Sequence, residues 1–176
     1  SDIAYASKGG YLLETSKVTP LASNIISLAY LWNVVRVQGG AYGTGLVSRA
    51  SGFTCCYSYR DPNGKESLKK YEKCGTFLKD YLKENHDLTG FIIGTLSGLM
   101  PLMMPYNIGK YGDLYYFNQK DEKARQEQLE AILSVDKDDL LEIAKEIDET
   151  LEKGGICIIG GKNQIDQCNL DEVISL

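Results

Sequence analysis

The sequence has very little histidine, the side chain on which most metal and acid–base sites depend. His86 is the single histidine among 176 residues, so the chain cannot supply the two histidines of an H-E-x-x-H zinc motif or of its inverted form. No nucleophile signature surrounds any serine or cysteine, which argues against a Ser–His–Asp or Cys–His site. We therefore expect no metal or other cofactor in this chain, and a surface or capping role for His86.

Cysteine is present, but in no arrangement that predicts a site. The five cysteines include no C-x-x-C pair, and their odd number argues against a disulfide scaffold. Cys55 and Cys56 are adjacent, so on a strand their side chains would point to opposite faces of the sheet. Reduced thiols are typical of the cytosol, and we expect a cytoplasmic protein.

The sequence also lacks a long hydrophobic run and an excess of positive charge. Its most apolar stretch, Phe91 to Met104, has fourteen residues and contains Pro101. That is too short to span a bilayer and predicts a buried core helix. Nineteen basic and twenty-four acidic side chains give a net charge of −5, which argues against a general nucleic-acid binder. We therefore expect neither a membrane nor a nucleic acid as a partner.

With 43% apolar and 24% charged residues, the composition is that of one folded globular domain. Hydrophobic periodicity and turn residues predict its elements. They are a strand at 2–6 followed by a turn at Gly9-Gly10, a helix from Thr19 to Gly39-Gly40, a hairpin of strands at 43–49 and 53–60, helices at 65–84, 88–104, 121–134 and 137–152, and a closing central strand at 156–159. Thr19 and Asp136 would cap the first and last helices. This order predicts an α+β fold, an antiparallel sheet covered by helices.

Two glycine clusters resemble nucleotide-binding loops, but neither has the required residues or the required order of elements. The segment 155–163 has a glycine where a P-loop needs its lysine. The segment 39–45 follows a predicted helix and precedes a strand, which is the reverse of the order in a dinucleotide-binding unit. Neither cluster therefore predicts a nucleotide site.

Arg36 and Tyr42 are the strongest candidates for a chemical role. Arg36 lies in the last turn of an otherwise apolar predicted helix, and Tyr42 follows six residues later among several glycines. A turn between them could bring together a guanidinium and a phenol, two donors suited to a carbonyl oxygen that gains negative charge. The alternative is structural, because an arginine is favoured at a helix C-terminus and a tyrosine is common in a hairpin core. The residues alone leave both interpretations open.

Two blocks of sequence resemble the last domain of the pitrilysin/insulinase family of zinc peptidases. The blocks are Val35-Arg36-Val37-Gln38-Gly39-Gly40-Ala41-Tyr42-Gly43 and Ser58-Tyr59-Arg60-Asp61-Pro62-Asn63, and their order is typical of the presequence-protease branch. The resemblance extends loosely over nearly the whole chain, to the closing apolar strand. It implies a single C-terminal domain over 1–176, of the LuxS/MPP-like metallohydrolase type. It also implies that the chain is a fragment of a longer enzyme whose four similar α+β domains close around a chamber.

The same resemblance implies roles for particular residues. In the family, an arginine and a tyrosine of this domain reach the substrate at the zinc site, and the matching positions are Arg36 and Tyr42. As catalytic and substrate-binding residues, they would anchor the peptide backbone and donate to the oxyanion. Gly39 and Gly40 are counted with the substrate-binding residues because they permit the turn that sets the geometry of the pair. Arg60 is expected only to organise the end of its strand, together with the aspartate that follows it.

The implied function is that of the non-zinc-binding C-terminal domain of a zinc metalloendopeptidase that degrades unstructured peptides. Zinc would be held by the N-terminal half of the same polypeptide. That half and the peptide substrates are the expected partners, and the isolated chain is expected to be inactive. Two alternatives stay open: a non-catalytic structural or assembly member of the same superfamily, and an independent peptide-binding module.

Overall fold

The computed structural model describes residues 2–12, 16–49, 51–84, 86–117, 121–168 and 170–174. Four antiparallel strands form one sheet in the order β2-β3-β1-β4. The strands are β1 (Ala4–Tyr11), β2 (Gly43–Ser48), β3 (Phe53–Asp61) and β4 (Gly155–Gly160). Helices pack against this sheet, so the predicted α+β class and the predicted β2–β3 hairpin are both confirmed.

The helices come between β1 and β2, between β3 and β4, and after β4. They are α1 (Thr19–Ile25), a π-helical segment (Ile26–Val37), α2 (Gly64–Tyr71), α3 (Cys74–Lys83), α4 (Thr89–Leu99), α5 (Pro105–Phe117), α6 (Glu122–Leu133), α7 (Lys137–Glu152) and α8 (Lys162–Asp166). The helix predicted at 65–84 is thus two helices, and α5 was not predicted. The helices predicted at 121–134 and 137–152 are confirmed as α6 and α7.

Apolar side chains of α1, the π-helical segment, α3 and α7 build the core together with the sheet. The fully buried members include Leu21, Ile25, Leu31, Val35, Leu78, Leu140 and Ile147. They recur at helical spacing, which is the pattern that lets one stripe of a helix face a core. The N-terminus of α7 is closed by the predicted cap, since the Asp136 carboxylate accepts from the Asp139 N–H at 2.9 Å and the Asp136 N–H donates in return.

The two faces of the sheet have opposite surroundings. The inner face, packed against the helices, presents the buried residues Ala4, Ala6, Lys8, Thr54, Cys56, Ser58 and Asp61. The outer face presents Tyr5, Cys55, Tyr57, Tyr59, Cys157 and Ile159, which are half-buried or exposed. The prediction that Cys55 and Cys56 point to opposite faces is therefore confirmed, because successive side chains of a strand alternate.

Two predictions near the N-terminus are wrong in detail. The turn expected at Gly9-Gly10 does not exist, because both glycines lie inside β1, opposite Cys55 and Thr54. Thr19 begins α1 but does not cap it; Val18 holds the cap position without a side-chain bond. The Thr19 hydroxyl is buried and has no hydrogen-bond partner among the described residues. Pro20 does occupy the first turn, as predicted.

The prediction of a buried core helix at Phe91–Met104 is wrong. Helix α4 ends at Leu99, and among its described residues only Thr95 is buried. Phe91 and Leu96 are half-buried against the core, but Leu102 and Met104 beyond the helix are exposed. The run is apolar on all sides, so its composition alone could not distinguish a core helix from one that buries a single stripe.

The closing strand was predicted to be central and is found at an edge. Within the described chain, β4 pairs with β1 alone. Ile156 and Ile159 are exposed there. A short apolar run is typical of a strand buried on both faces, but this run leaves one face and one edge uncovered in the described part of the chain.

Candidate functional site

Arg36 is presented by the last turn of the π-helical segment. The Gln38 N–H donates to the Asn33 carbonyl at 2.9 Å, which is the i→i−5 bond of a π-helix. The guanidinium carbon of Arg36 lies 3.8 Å from the ring centroid of Trp32, four residues earlier. This stacking uses the flat face of the guanidinium and leaves its N–H edge available.

The π-helical segment is tied to α2 by two reciprocal contacts. The Tyr30 hydroxyl donates to the Lys70 carbonyl at 3.1 Å, and the Lys70 ammonium donates to the Val34 carbonyl. Burial raises the pKa of Tyr30 to about 12, with the nearby Cys74 and Cys56 thiols adding to the shift. The tyrosine therefore stays a neutral donor over the physiological pH range.

The glycine pair after this segment makes the turn that the sequence predicted. Gly40 has φ +81, a backbone conformation that glycine adopts at no steric cost. Its N–H donates to the Arg36 carbonyl at 2.9 Å. Gly39 is buried, and its carbonyl accepts from the Asn63 side-chain amide at 2.8 Å. That bond joins the two sequence blocks that carry the family resemblance.

Tyr42 stands at the start of β2, with 60% of its surface exposed. Its N–H donates to the Tyr59 carbonyl at 3.1 Å, and its ring lies against the Tyr59 ring with centroids 5.5 Å apart. Tyr59 in turn lies over Gly43, where an added Cβ would come within 2.1 Å of the tyrosine ring. A glycine is therefore needed at this position for Tyr59 to support Tyr42.

Arg36 and Tyr42 line one open cleft of about 620 Å³. Its walls are formed by Ile3, Trp32, Arg36, Val37, Gly40, Ala41, Tyr42 and Arg60. The structure thus brings together the predicted pair and Gly40, whereas Gly39 is not among the lining residues. The cleft combines apolar walls with hydrogen-bond donors, which is the usual make-up of a ligand site.

Arg60 is the lining residue that sequence reasoning assigned to another role. It has φ +48, in the left-handed region that side chains other than glycine rarely adopt. The pairing of β3 with β1 shifts register here, since Ala6 faces Ser58 but Ala4 faces Asp61. The extra residue is a β-bulge, a device that re-aims side chains and is frequent next to active sites.

The bulge separates the roles of Arg60 and Asp61. Asp61 is fully buried and accepts from the hydroxyls of Ser58 and Ser67, each at 2.6 Å, and from the Asn63 N–H at 2.8 Å. It organises the strand end, as expected. Arg60 instead points into the cleft, with its guanidinium carbon 5.5 Å from the Tyr42 ring centroid. Its arginine identity offered no signal for this, because a bulge is usually marked by glycine.

The described residues do not fit a zinc ion. Within the described ranges, no three His, Cys, Asp or Glu side chains come together as a metal site would require. His86 is exposed, its ring stacks on Tyr81 with centroids 4.0 Å apart, and its Nε2 lies 2.8 Å from a Glu84 carboxylate oxygen. The described residues that line the cleft include hydrogen-bond donors but no His, Cys, Asp or Glu.

The fold is similar to that of a crystal structure of a Bordetella pertussis protein reported as a candidate zinc protease. The two chains superpose with a TM-score of 0.59 over 90% of this chain and 94% of the other, at 10% sequence identity. Identity this low shows the fold alone. The sequence is more specific: the chain belongs to the PreP C-terminal domain family, whose family model matches residues 1–162.

Individual relatives agree with this family. Protein HypA of Clostridium perfringens is 31% identical over 173 residues, which cover 94% of this chain and 18% of that protein. Presequence protease 1, chloroplastic/mitochondrial, of Arabidopsis thaliana is 33% identical over 161 residues, which cover 91% of this chain and 15% of that protein. The chain therefore spans less than a fifth of the length of either relative. The resemblance stated from the two sequence blocks is confirmed.

These comparisons leave the predicted location open. No helix in the described part of the chain is both long and apolar enough to cross a membrane. The Arabidopsis relative is named as chloroplastic or mitochondrial, and an Aspergillus fumigatus presequence protease, 30% identical over 141 residues, as mitochondrial. A cytoplasmic location therefore stays a prediction.

Proposed function

We propose that this chain is the C-terminal, non-zinc-binding domain of a zinc-dependent metalloendopeptidase that degrades unstructured peptides. In this proposal, Arg36 and Tyr42 contact the substrate backbone and the oxyanion. The observation that carries it is the placement of both side chains on one open cleft. Membership of the PreP C-terminal domain family and the presequence proteases among the relatives support the peptidase activity.

The chemistry of the pair suits an amide carbonyl that gains negative charge. A guanidinium donates N–H bonds in its plane, and a phenol donates one O–H bond. Arg36 already stacks its face on Trp32, so its edge is held in orientation before a substrate arrives. Fixed donors aimed at a developing oxyanion stabilise the transition state more than the ground state.

The zinc ion belongs, in this proposal, to the N-terminal half of the same polypeptide, outside this chain. The residues described here would bind the peptide, orient its carbonyl and stabilise charge. Without that half, the chain would bind peptides but not hydrolyse them. We also propose a cytoplasmic parent enzyme, supported by five cysteines none of which is disulfide-bonded.

A reconstitution assay tests the proposal. A quenched fluorescent unstructured peptide is incubated with this chain alone, with a separately expressed N-terminal zinc half of the parent protein, and with both. We expect cleavage only in the mixture, and loss of that cleavage when a chelator is added. Cleavage by this chain alone would contradict the proposal. No cleavage in spite of demonstrated association would favour the non-catalytic superfamily member.

A further inference from the structure

We infer that Arg60 makes the cleft a subsite for a carboxylate group of the bound peptide. The inference takes from the proposed function that the ligand is a peptide. It adds a preference for peptides that carry a carboxylate, a role not assigned to Arg36 or Tyr42. Three observations carry it: the bulge that aims Arg60, the position of both arginines over aromatic rings, and the charge of the cleft.

The bulge turns the Arg60 side chain away from the inner face of the sheet and into the cleft. Thr54, Cys56 and Ser58 alternate onto the inner face of β3, so regular pairing would direct residue 60 inward as well. The register shift opposite β1 sends Asp61 inward instead. Arg60 adopts φ +48 to achieve this, a conformation that costs a side-chain-bearing residue free energy and that clusters at functional sites.

Both arginines of the cleft lie over aromatic rings, and Arg36 is close enough to stack. The Arg36 guanidinium lies 3.8 Å from the Trp32 centroid, and the Arg60 guanidinium lies 5.5 Å from the Tyr42 centroid. A guanidinium that faces a ring, as Arg36 does by stacking and Arg60 does at a cation–π distance, keeps its in-plane N–H groups for a second partner. These N–H groups match the two oxygens of a carboxylate, which an arginine binds with two parallel hydrogen bonds.

The cleft carries positive charge without a matching acid. Among the residues that the structure describes, no carboxylate forms an ion pair with Arg36 or Arg60. No Asp or Glu of the described ranges lines the cleft either. The two guanidinium groups share one cleft, so an anionic group there is within reach of both. An anionic group of a ligand therefore gains both Coulomb attraction and directed hydrogen bonds there.

Peptides offer such a group from two sources, the C-terminal carboxylate and an Asp or Glu side chain. Three peptides of one neutral, N-acetylated sequence separate them: one with a free C-terminus, one C-terminally amidated, and one amidated with an internal Glu. Trp32 is the only tryptophan in the sequence, and it lies in the cleft, so its fluorescence reports binding to this chain directly.

We expect at least one of the two acidic peptides to bind about tenfold more tightly than the neutral amidated peptide, the usual effect of one charge-assisted hydrogen bond. The stronger of the two identifies the source of the carboxylate. In Arg60→Ala this preference should fall to about twofold or less. Any residual preference would come from Arg36, which remains. Arg60→Lys should restore part of it, since an ammonium supplies charge without the planar fork.

Two further variants keep the result interpretable. Arg49→Ala removes the same charge from the opposite end of the hairpin, beyond Ser48, and should leave the preference unchanged. Arg60→Gly removes the side chain but suits the positive φ, so it should bind like Arg60→Ala and unfold at no lower temperature than the wild type. A loss of preference caused by general damage would lower the unfolding temperature instead.

The inference is overturned if the wild type binds all three peptides equally, or if Arg60→Ala keeps the full preference. The neutral amidated peptide reports the proposed function separately, because its binding should weaken in Arg36→Ala and Tyr42→Phe. Suppose that its affinity is unchanged in both of those variants while the preference for acidic peptides is lost in Arg60→Ala. Then the proposed function fails and the carboxylate subsite stands.

Discussion

The inner face of the sheet and the cleft at the end of the sheet use their polar residues in opposite ways. On the inner face, the two charged side chains have partners: Asp61 accepts three hydrogen bonds, and Lys8 pairs with Glu72. In the cleft at the end of the sheet, Tyr42 is exposed, and the described residues pair neither Arg36 of the π-helical segment nor Arg60 with an acid. Polar groups that are hydrogen-bonded or ion-paired within the fold stabilise it, whereas exposed polar groups without such partners are accessible to a ligand.

Thiol modification should give the largest contrast between the faces. Cys56 is fully buried, its Sγ lies 3.5 Å from the Cys74 Sγ, and burial raises its pKa well above the usual thiol value. Cys157 on the outer face is exposed. With iodoacetamide at pH 8, we expect Cys157 to react at least about a thousandfold faster than Cys56, since Cys56 becomes accessible only on unfolding.

Mass spectrometry of timed digests measures these rates site by site. In concentrated urea the two thiols should react at similar rates, which is the control for intrinsic reactivity. Comparable rates in the folded chain would show that the inner face is open, and would remove the distinction between the faces.

The donor pair of the cleft should show the next largest effect. In the reconstituted enzyme, Arg36→Ala or Tyr42→Phe should lower kcat by about 10²–10³, the usual cost of losing one oxyanion donor. Tyr57→Phe removes a hydroxyl from the outer face of the sheet, outside the cleft. It should leave kcat within about twofold of the wild type. Steady-state kinetics on the quenched peptide measure all three.

If Tyr57→Phe lowered kcat as much as Tyr42→Phe, the whole outer face rather than the cleft would act on the substrate. A rise in KM with kcat unchanged in the Arg36 and Tyr42 variants would restrict both residues to ground-state binding.

The smallest of these effects concerns stability on the inner face. Asp61→Asn replaces a buried acceptor of three hydrogen bonds with an amide that cannot satisfy all three donors. It should cost about 2–3 kcal/mol of the free energy of unfolding. Asp166→Asn at the exposed end of α8 should change it by less than about 0.5 kcal/mol. Equilibrium urea unfolding compares the two, and equal midpoints would mean that the Asp61 carboxylate contributes nothing to the fold.

Local patterns were enough to predict much of this arrangement. The adjacency of Cys55 and Cys56 predicted that their side chains lie on opposite faces of β3. The Gly39-Gly40 pair predicted the turn that brings Arg36 and Tyr42 to one cleft. These features depend on a strand period of two and on the conformational freedom of glycine, which neighbouring residues are sufficient to reveal.

The features that escaped prediction depend on partners distant in sequence. Nothing in Ile156 or Ile159 reveals whether β4 has one neighbouring strand or two. The apolar helix α4 likewise has the composition of a core helix but packs along a single stripe. The bulge at Arg60 arises from the pairing of β3 with β1 across about fifty residues of chain, and an arginine there carries no local sign of a left-handed conformation.

The bulge also has a consequence for how this chain can evolve. Arg60 and Asp61 are adjacent in the sequence, yet substitutions at the two positions face separate constraints. A substitution at Asp61 lowers the stability of the fold. A substitution at Arg60 changes the charge of the cleft, and a glycine there would also remove the strain of its left-handed backbone conformation. If Arg60 sets the carboxylate preference proposed above, a substitution at this one position changes that preference while the fold of the domain is kept.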